Sequence, residues 1–201
     1  SFVCTGDDSI LRAGLRAGIG FPYECSVGSC GTCKIEILSG RVEDLWPDAP
    51  GLSKRDKAKN KYLACQTTAR SDCLIKVRIY PETAPLVLPL KREAMLVKRS
   101  SVTHDMDEFH FRCLNPADFL PGQYALLDLP GVNGLRAYSM SNLPNKNGDW
   151  KFYIKNVPGG IGSKALFRSL VEGAKLLLDG PFGCAYLQKT KRDIVCVAGG
   201  A

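Results

Sequence analysis

No apolar run among the 201 residues reaches the roughly 18 that a bilayer span requires, so no membrane association is expected. No secretory leader is visible in this stretch, and the chain opens on Ser rather than Met, so the native amino terminus is expected upstream. Histidine is scarce. His104 and His110 both fall in the second half, which leaves few nitrogen ligands for a zinc site. There is no base-reading motif, and few aromatics sit among the basic residues, which argues against a nucleic-acid partner. No nucleophile or acid–base triad is found, so covalent catalysis by the protein itself is not expected. Repeats and low-complexity tracts are lacking too.

Cysteine, by contrast, is abundant: Cys4, Cys25, Cys30, Cys33, Cys65, Cys73, Cys113, Cys184 and Cys196, nine in all. Dense cysteine in a small secreted domain signals disulfides. A longer chain with no leader and with its thiols clustered on one loop points instead to a metal or redox site in the cytoplasm. Net charge is +7. Two readings stand, ordinary solubility and a basic face for an acidic protein partner.

Residues 2–5 read as a short strand. Asp8 or Ser9 is expected to cap a helix carrying Ile10, Leu11, Leu15 and Ile19. Lys34 to Leu38 alternates as a strand does and turns through "SGRV" into another. "SKRDKAKNK" is expected as an exposed helical segment, and "LIKVRI" (74–79) as a strand. Four prolines between Pro81 and Pro89 mark a stiff linker. Beyond it, short strands are expected at 94–102, 108–114, 123–129, 135–141, 151–157, 175–179 and 184–187. A helix at 163–171 would be capped by Ser163. Such regular short strands suggest an antiparallel barrel. The last stretch, "RDIVCVAGGA", reads as a buried strand entering a glycine turn.

The stretch "YECSVGSCGTCKIE" places Cys25, Cys30 and Cys33 at the four-then-two spacing of plant-type [2Fe–2S] sites, and Cys65 in "YLACQ" is the candidate fourth ligand. Two bridged irons need four thiolates and a loop that wraps closely. Ser26, Gly28, Ser29, Gly31 and Thr32 are small enough to allow it. Structural zinc usually shows two paired ligand units, and here there is one CxxC. The other cysteines read as small buried hydrophobes.

Residues 9–80 resemble a plant-type ferredoxin domain, carried by "FPYECSVGSCGTCKIEILSG" and "YLACQ". The resemblance implies a β-grasp (α+β) fold, a one-electron carrier, and iron ligation by Cys25, Cys30, Cys33 and Cys65. Two departures stand out: extra length near "WPDAPGLS", and no first strand for the family's opening hairpin.

In the second half, "LRAYSMSN" puts Arg136 and Tyr138 on one face of a strand, with Ser139 opposite. An Arg suits a phosphate, a Tyr a flat ring system. "PGGIGS" places glycines before a helix, where backbone N–H groups can meet an anion. In this order the two motifs resemble the flavin domain of the ferredoxin-NADP reductase family, an antiparallel Greek-key β-barrel. The resemblance implies FAD held by Arg136, Ala137, Tyr138 and Ser139, by the strand Tyr153, Ile154 and Lys155, and by Gly159, Gly160, Gly162 and Ser163. "GPFG" (180–183) matches the passage to a nicotinamide domain, and "CVAGGA" its α/β opening, truncated here.

The expected organisation is therefore a [2Fe–2S] domain over 1–80, a linker over 81–93, a flavin barrel over 94–190 and a first nicotinamide-domain strand over 191–201. That order resembles the reductase component of bacterial multicomponent aromatic-ring oxygenases, the carbazole dioxygenase type first and the toluene monooxygenase type next. It implies electron flow from NADH or NADPH through FAD and the cluster to a terminal oxygenase or its ferredoxin. The alternative is a two-domain relay reduced by another protein. Plant-type clusters lie near about −400 mV. Lys54, Arg55, Lys57 and Lys59 are either part of a docking face or a solvated helix surface.

Overall fold

The computed structural model describes residues 1–187, 193–195 and 197. The expected strand over 192–201 lies largely outside the described residues. Near the N-terminus, helix α1 (Ile10–Arg16) starts where the Ser9 side chain accepts the Arg12 N–H. It buries Ile10, Leu11 and Leu15, while Ile19 lies beyond its end. Strands β1 (Lys34–Ser39), β3 (Lys61–Leu63) and β5 (Leu74–Lys76) form one antiparallel sheet with β1 central. Strands β2 (Val42–Asp44) and β4 (Thr67–Ala69) form a separate ribbon.

Three expectations about this half change, the first being that the strand expected over 74–79 ends at Lys76. Residues 2–5 are not a strand; Phe2 instead packs its ring edge-on against Phe21, centroids 5.9 Å apart. The charged segment is helical only over α2 (Lys54–Lys57), begun by a reciprocal cap between Ser53 and Asp56.

The second half is a six-stranded antiparallel sheet that nearly closes into a barrel. Its strands are β6 (Leu90–Ser101), β7 (Met106–Arg112), β8 (Tyr124–Asp128), β9 (Arg136–Ser139), β10 (Asp149–Lys155) and β11 (Lys175–Phe182). Their order is β10-β7-β6-β11-β8-β9, and the Ser141 N–H donates to Lys151 O at 2.8 Å where the two edges approach. Alternation drives this: Asp107, Phe109 and Phe111 point inward along β7, while Met106, Glu108 and His110 are half-buried and Arg112 is exposed. Trp150, Phe152, Phe109, Phe111, Leu96 and Leu178 fill the interior. Strand β6 begins at Leu90, inside the stretch expected as linker.

Three more corrections fall here. After β11 the chain turns at Gly183, whose φ is +100°, and 184–187 is not a strand. The helix begins two residues early, as α3 (Ile161–Lys164), with Gly160 rather than Ser163 at its cap, and ends in a wide turn over Ala165–Ser169. Of the cysteines read as buried hydrophobes, Cys113 is buried, whereas Cys4, Cys73 and Cys184 are only partly so.

The two halves do not have wholly separate cores. Leu126 and Phe182 of the barrel pack with Ile10, Leu15, Phe21 and Tyr23 of the N-terminal half.

Candidate functional site

The four expected thiols lie together at the end of the N-terminal half that faces the barrel, in two pairs. Cys25 and Cys30 form the outer pair. Cys25 Sγ accepts the N–H groups of Ser29 and Cys30, both at 3.3 Å, and Cys30 Sγ accepts that of Thr32 at 3.5 Å. Cys33 and Cys65 form the inner pair, both buried. The thiol–thiol hydrogen bond and burial push Cys65 far up, while that same bond holds Cys33 down. Burial works to raise Cys30, but hydrogen bonding to Thr32 and Cys25 outweighs it and lowers the thiol. Gln66 Nε2 lies 3.8 Å from Cys65 Sγ.

The loop around them is a cradle that a Cβ would fill. A methyl on Gly31, whose φ is +77°, would lie 2.5 Å from Gly51 O; one on Gly51 would lie 2.7 Å from the Gly31 N. One on Gly28 would press into Trp46. Ser26 holds φ 55°, rare for a residue with a side chain. Among the described residues no three His, Cys, Asp or Glu side chains converge as ligands of a single ion do. A set of thiols paired two and two, ringed by N–H donors, suits two irons with two thiolates each.

On the barrel, β9 presents Arg136 and Tyr138 to α3. A Cβ on Gly162 would lie 3.2 Å from Arg136 Cγ and 3.3 Å from Tyr138 OH, so the two motifs meet and the glycine leaves the space between them. Arg136 Nη1 donates to Asn133, Gly134 and Leu135 carbonyls at 3.1–3.2 Å, and among the described residues no carboxylate pairs with it. A guanidinium so held offers its fork to an anion. Burial raises Tyr138 and keeps its hydroxyl protonated. Ser163 donates to Val157 O and Gly160 O at 3.1 Å, closing the glycine turn from within the helix. Gly159, at φ +74°, faces open space. Ser139 and Tyr153 are exposed, Lys155 is 3.4 Å from Asp105, and Ala137 packs toward the N-terminal half. Ile154 is buried in the barrel, so only its backbone could reach a ligand on the face that Tyr153 and Lys155 share.

A cavity of about 510 Å³ separates the two sets, lined by Arg12, Ser26, Trp46, Cys65, Gln66 and Arg136. Sequence reasoning missed Trp46 and Gln66, although "LACQ" and "WPDAPGLS" contain them. It also missed the bridge between the halves. Tyr124 of β8 donates its hydroxyl to Glu24 O, and the Ser26 hydroxyl lies 2.7 Å from the Tyr124 hydroxyl oxygen. Tyr124 is also the cross-strand partner of Ser139.

Comparison with known proteins finds matches to both halves. Residues 1–70 match the 2Fe-2S iron–sulfur cluster binding domain, and residues 93–186 the oxidoreductase FAD-binding domain. The chain is 48% identical over 203 residues to the ferredoxin–NAD(P)(+) reductase CarAd of Metapseudomonas resinovorans, covering 98% of this chain and 61% of that protein. It is 45% identical to the ferredoxin–NAD(+) reductase component of the alkene monooxygenase system of Xanthobacter autotrophicus, covering 100% of this chain and 62% of that protein. The solved ferredoxin reductase in carbazole 1,9a-dioxygenase superposes with a TM-score of 0.88 at 47% identity, over 94% of this chain and 59% of that one. The chain thus spans about three-fifths of the length of these relatives. An iron–sulfur domain followed by an FAD-binding barrel makes the chain similar, over nearly all of its own length, to ferredoxin reductases of oxygenase systems.

Proposed function

We propose that this chain carries electrons from NADH or NADPH, in the complete protein, through FAD and a [2Fe–2S] cluster to a terminal oxygenase or its ferredoxin. Cys25 and Cys30 would hold one iron, Cys33 and Cys65 the other. Arg136 would meet a flavin phosphate, with Gly159, Gly160, Gly162 and Ser163 supplying room and backbone donors. Tyr138, Ala137 and Ser139, with Tyr153, Ile154 and Lys155, would line the rest. When bound, the flavin takes an electron pair and parts with electrons singly, and the cluster carries one at a time.

The protein's own work is positional and electrostatic. N–H groups of Ser29, Cys30 and Thr32 offset thiolate charge, and the buried Cys33–Cys65 pair is kept from water. The observation that carries the reading is that the two candidate sites flank one interdomain cavity and are joined through Tyr124. Thiolate ligands need reducing surroundings, which supports a cytoplasmic setting; no helix among the described residues is long and apolar enough to cross a membrane. α2 supplies the acceptor-docking candidates: Lys54, Arg55 and Lys57 are exposed, and Asp56 is tied to Lys34, next to Cys33, at 2.9 Å.

The test is an anaerobic titration of the full-length protein followed by visible absorbance. Flavin and iron–sulfur bands that bleach with NADH or NADPH support the proposal. Bands that bleach with dithionite alone would point to a relay reduced by another protein. A colourless protein after reconstitution with iron, sulfide and FAD would overturn both.

A further inference from the structure

The strongest polar feature outside the two candidate sites is a buried ionic seam between the halves. Arg16, in the last turn of α1, forms a two-pronged pair with Asp179 of β11, Nη1 to Oδ1 at 2.8 Å and Nη2 to Oδ2 at 2.7 Å. The same side chain reaches Asp8 at 2.9 Å through Nε and the Pro89 carbonyl at 3.0 Å through Nη1. Arg12 lies 2.8 Å from Asp8 and 3.7 Å from Asp179. The carboxylates of Asp8 and Asp179 are 6% and 4% exposed. One guanidinium therefore ties together a helix that backs the thiol loop, the end of the linker, and the strand that leads into Gly180–Gly183. A planar fork fixes orientation as well as distance.

The seam does not stand alone. The Gly183 N–H donates to the Tyr23 hydroxyl at 2.9 Å, two residues before Cys25. Arg12 also lines the cavity between the two sites, alongside Cys65 and Arg136. The ion pairs on one side and the Tyr124–Ser26 contact on the other clamp the thiol loop against the strand pair that holds Arg136 and Tyr138.

We propose that Arg16 and Asp179 are positioning residues for electron transfer across this seam, a role that rests on the function proposed above. In the step concerned one electron leaves the reduced flavin, which is oxidised, and enters the cluster, which is reduced; no protein bond forms or breaks. Because such transfer depends steeply on separation and orientation, a clamp that fixes the thiol loop against the barrel sets its rate.

The protein loaded with FAD, iron and sulfide is reduced by a deazaflavin flash, which needs no nicotinamide, and cluster bleaching is timed. Arg16→Gln and Asp179→Asn are expected to keep both sets of bands and slow flavin-to-cluster transfer by about tenfold or more. In Arg16→Gln, thermolysin cleavage near Leu86–Leu88 should also speed up, because the Pro89 carbonyl loses its donor. Asp179→Glu should recover part of the rate. Should Asp179→Asn fold poorly, Arg16→Gln decides, since both carboxylates keep Arg12. Normal transfer in a fully loaded variant, with or without faster cleavage, would reduce the seam to a structural contact and overturn the proposal. Missing bands in the unaltered protein would instead mean that the functional reading fails, and the positioning role with it.

Discussion

At the scale of single residues, chemistry is concentrated where side chains are small. Gly31 shows why. Its left-handed backbone and the 2.5 Å approach of a would-be Cβ to Gly51 O leave no relaxed alternative. Gly31→Ala is expected to cost about 1–3 kcal/mol and to lower cluster content, read by urea melts and iron analysis. Cys65→Ser should abolish the iron–sulfur absorbance while leaving flavin binding intact. Cys113 provides a contrast. Burial pushes its thiol up to about 11, so it should resist alkylation at neutral pH until the barrel unfolds, as mass spectrometry under increasing urea would show. The thiol motif was legible because the spacing of Cys25, Cys30 and Cys33 is itself the chemistry. Gln66 and Trp46 were not, since neither residue type announces a role until the fold sets it against Gly28 and Cys65.

At the scale of elements, alternation made the barrel readable: β7 and β10 place every second residue inside, and their bounds fall within two residues of expectation. Where the reading failed, a local preference competed with a tertiary one. Ser163 looks like a helix cap, yet its hydroxyl bonds backward to Val157 and Gly160 from inside the first turn. Phe2 and Cys4 alternate like a strand, but among the described residues no ladder partner accompanies them, and Phe2 settles on Phe21. Strand β11 matters most. Its Leu178 serves the barrel interior while Phe182 packs with Leu15, Phe21 and Tyr23. Phe182→Ala should cost about 3–5 kcal/mol. Both halves should then melt together at a lower midpoint in calorimetry, because the lost ring belongs to a core they share.

At the scale of the whole molecule, the two halves behave as one electrostatic body. Asp8 is the group whose titration reports it. Burial acts to raise its carboxyl, but hydrogen bonds from Arg16 and Arg12 outweigh this and hold it below the ordinary 3.8. A depressed carboxylate stabilises the fold above its ordinary value, and that contribution is lost as pH falls through the lower folded value. Asp8→Asn should therefore be the less stable protein at neutral pH. The gap should narrow as acid is added below 3.8, measured by denaturant melts along a pH series. Nothing in the sequence revealed this: Asp8, just ahead of the helix, and Arg12 and Arg16 on it follow at four-residue intervals, but Asp179 is 163 residues from Arg16. The shared core has a consequence of its own. The proline-rich stretch looks like the place to cut the chain into two working pieces. Cutting there would leave Leu126 and Phe182 facing water on one piece and bare the bed of Phe21 and Leu15 on the other. The natural unit of exchange in this molecule, for engineering or for recombination between relatives, is the pair of halves with β11 included.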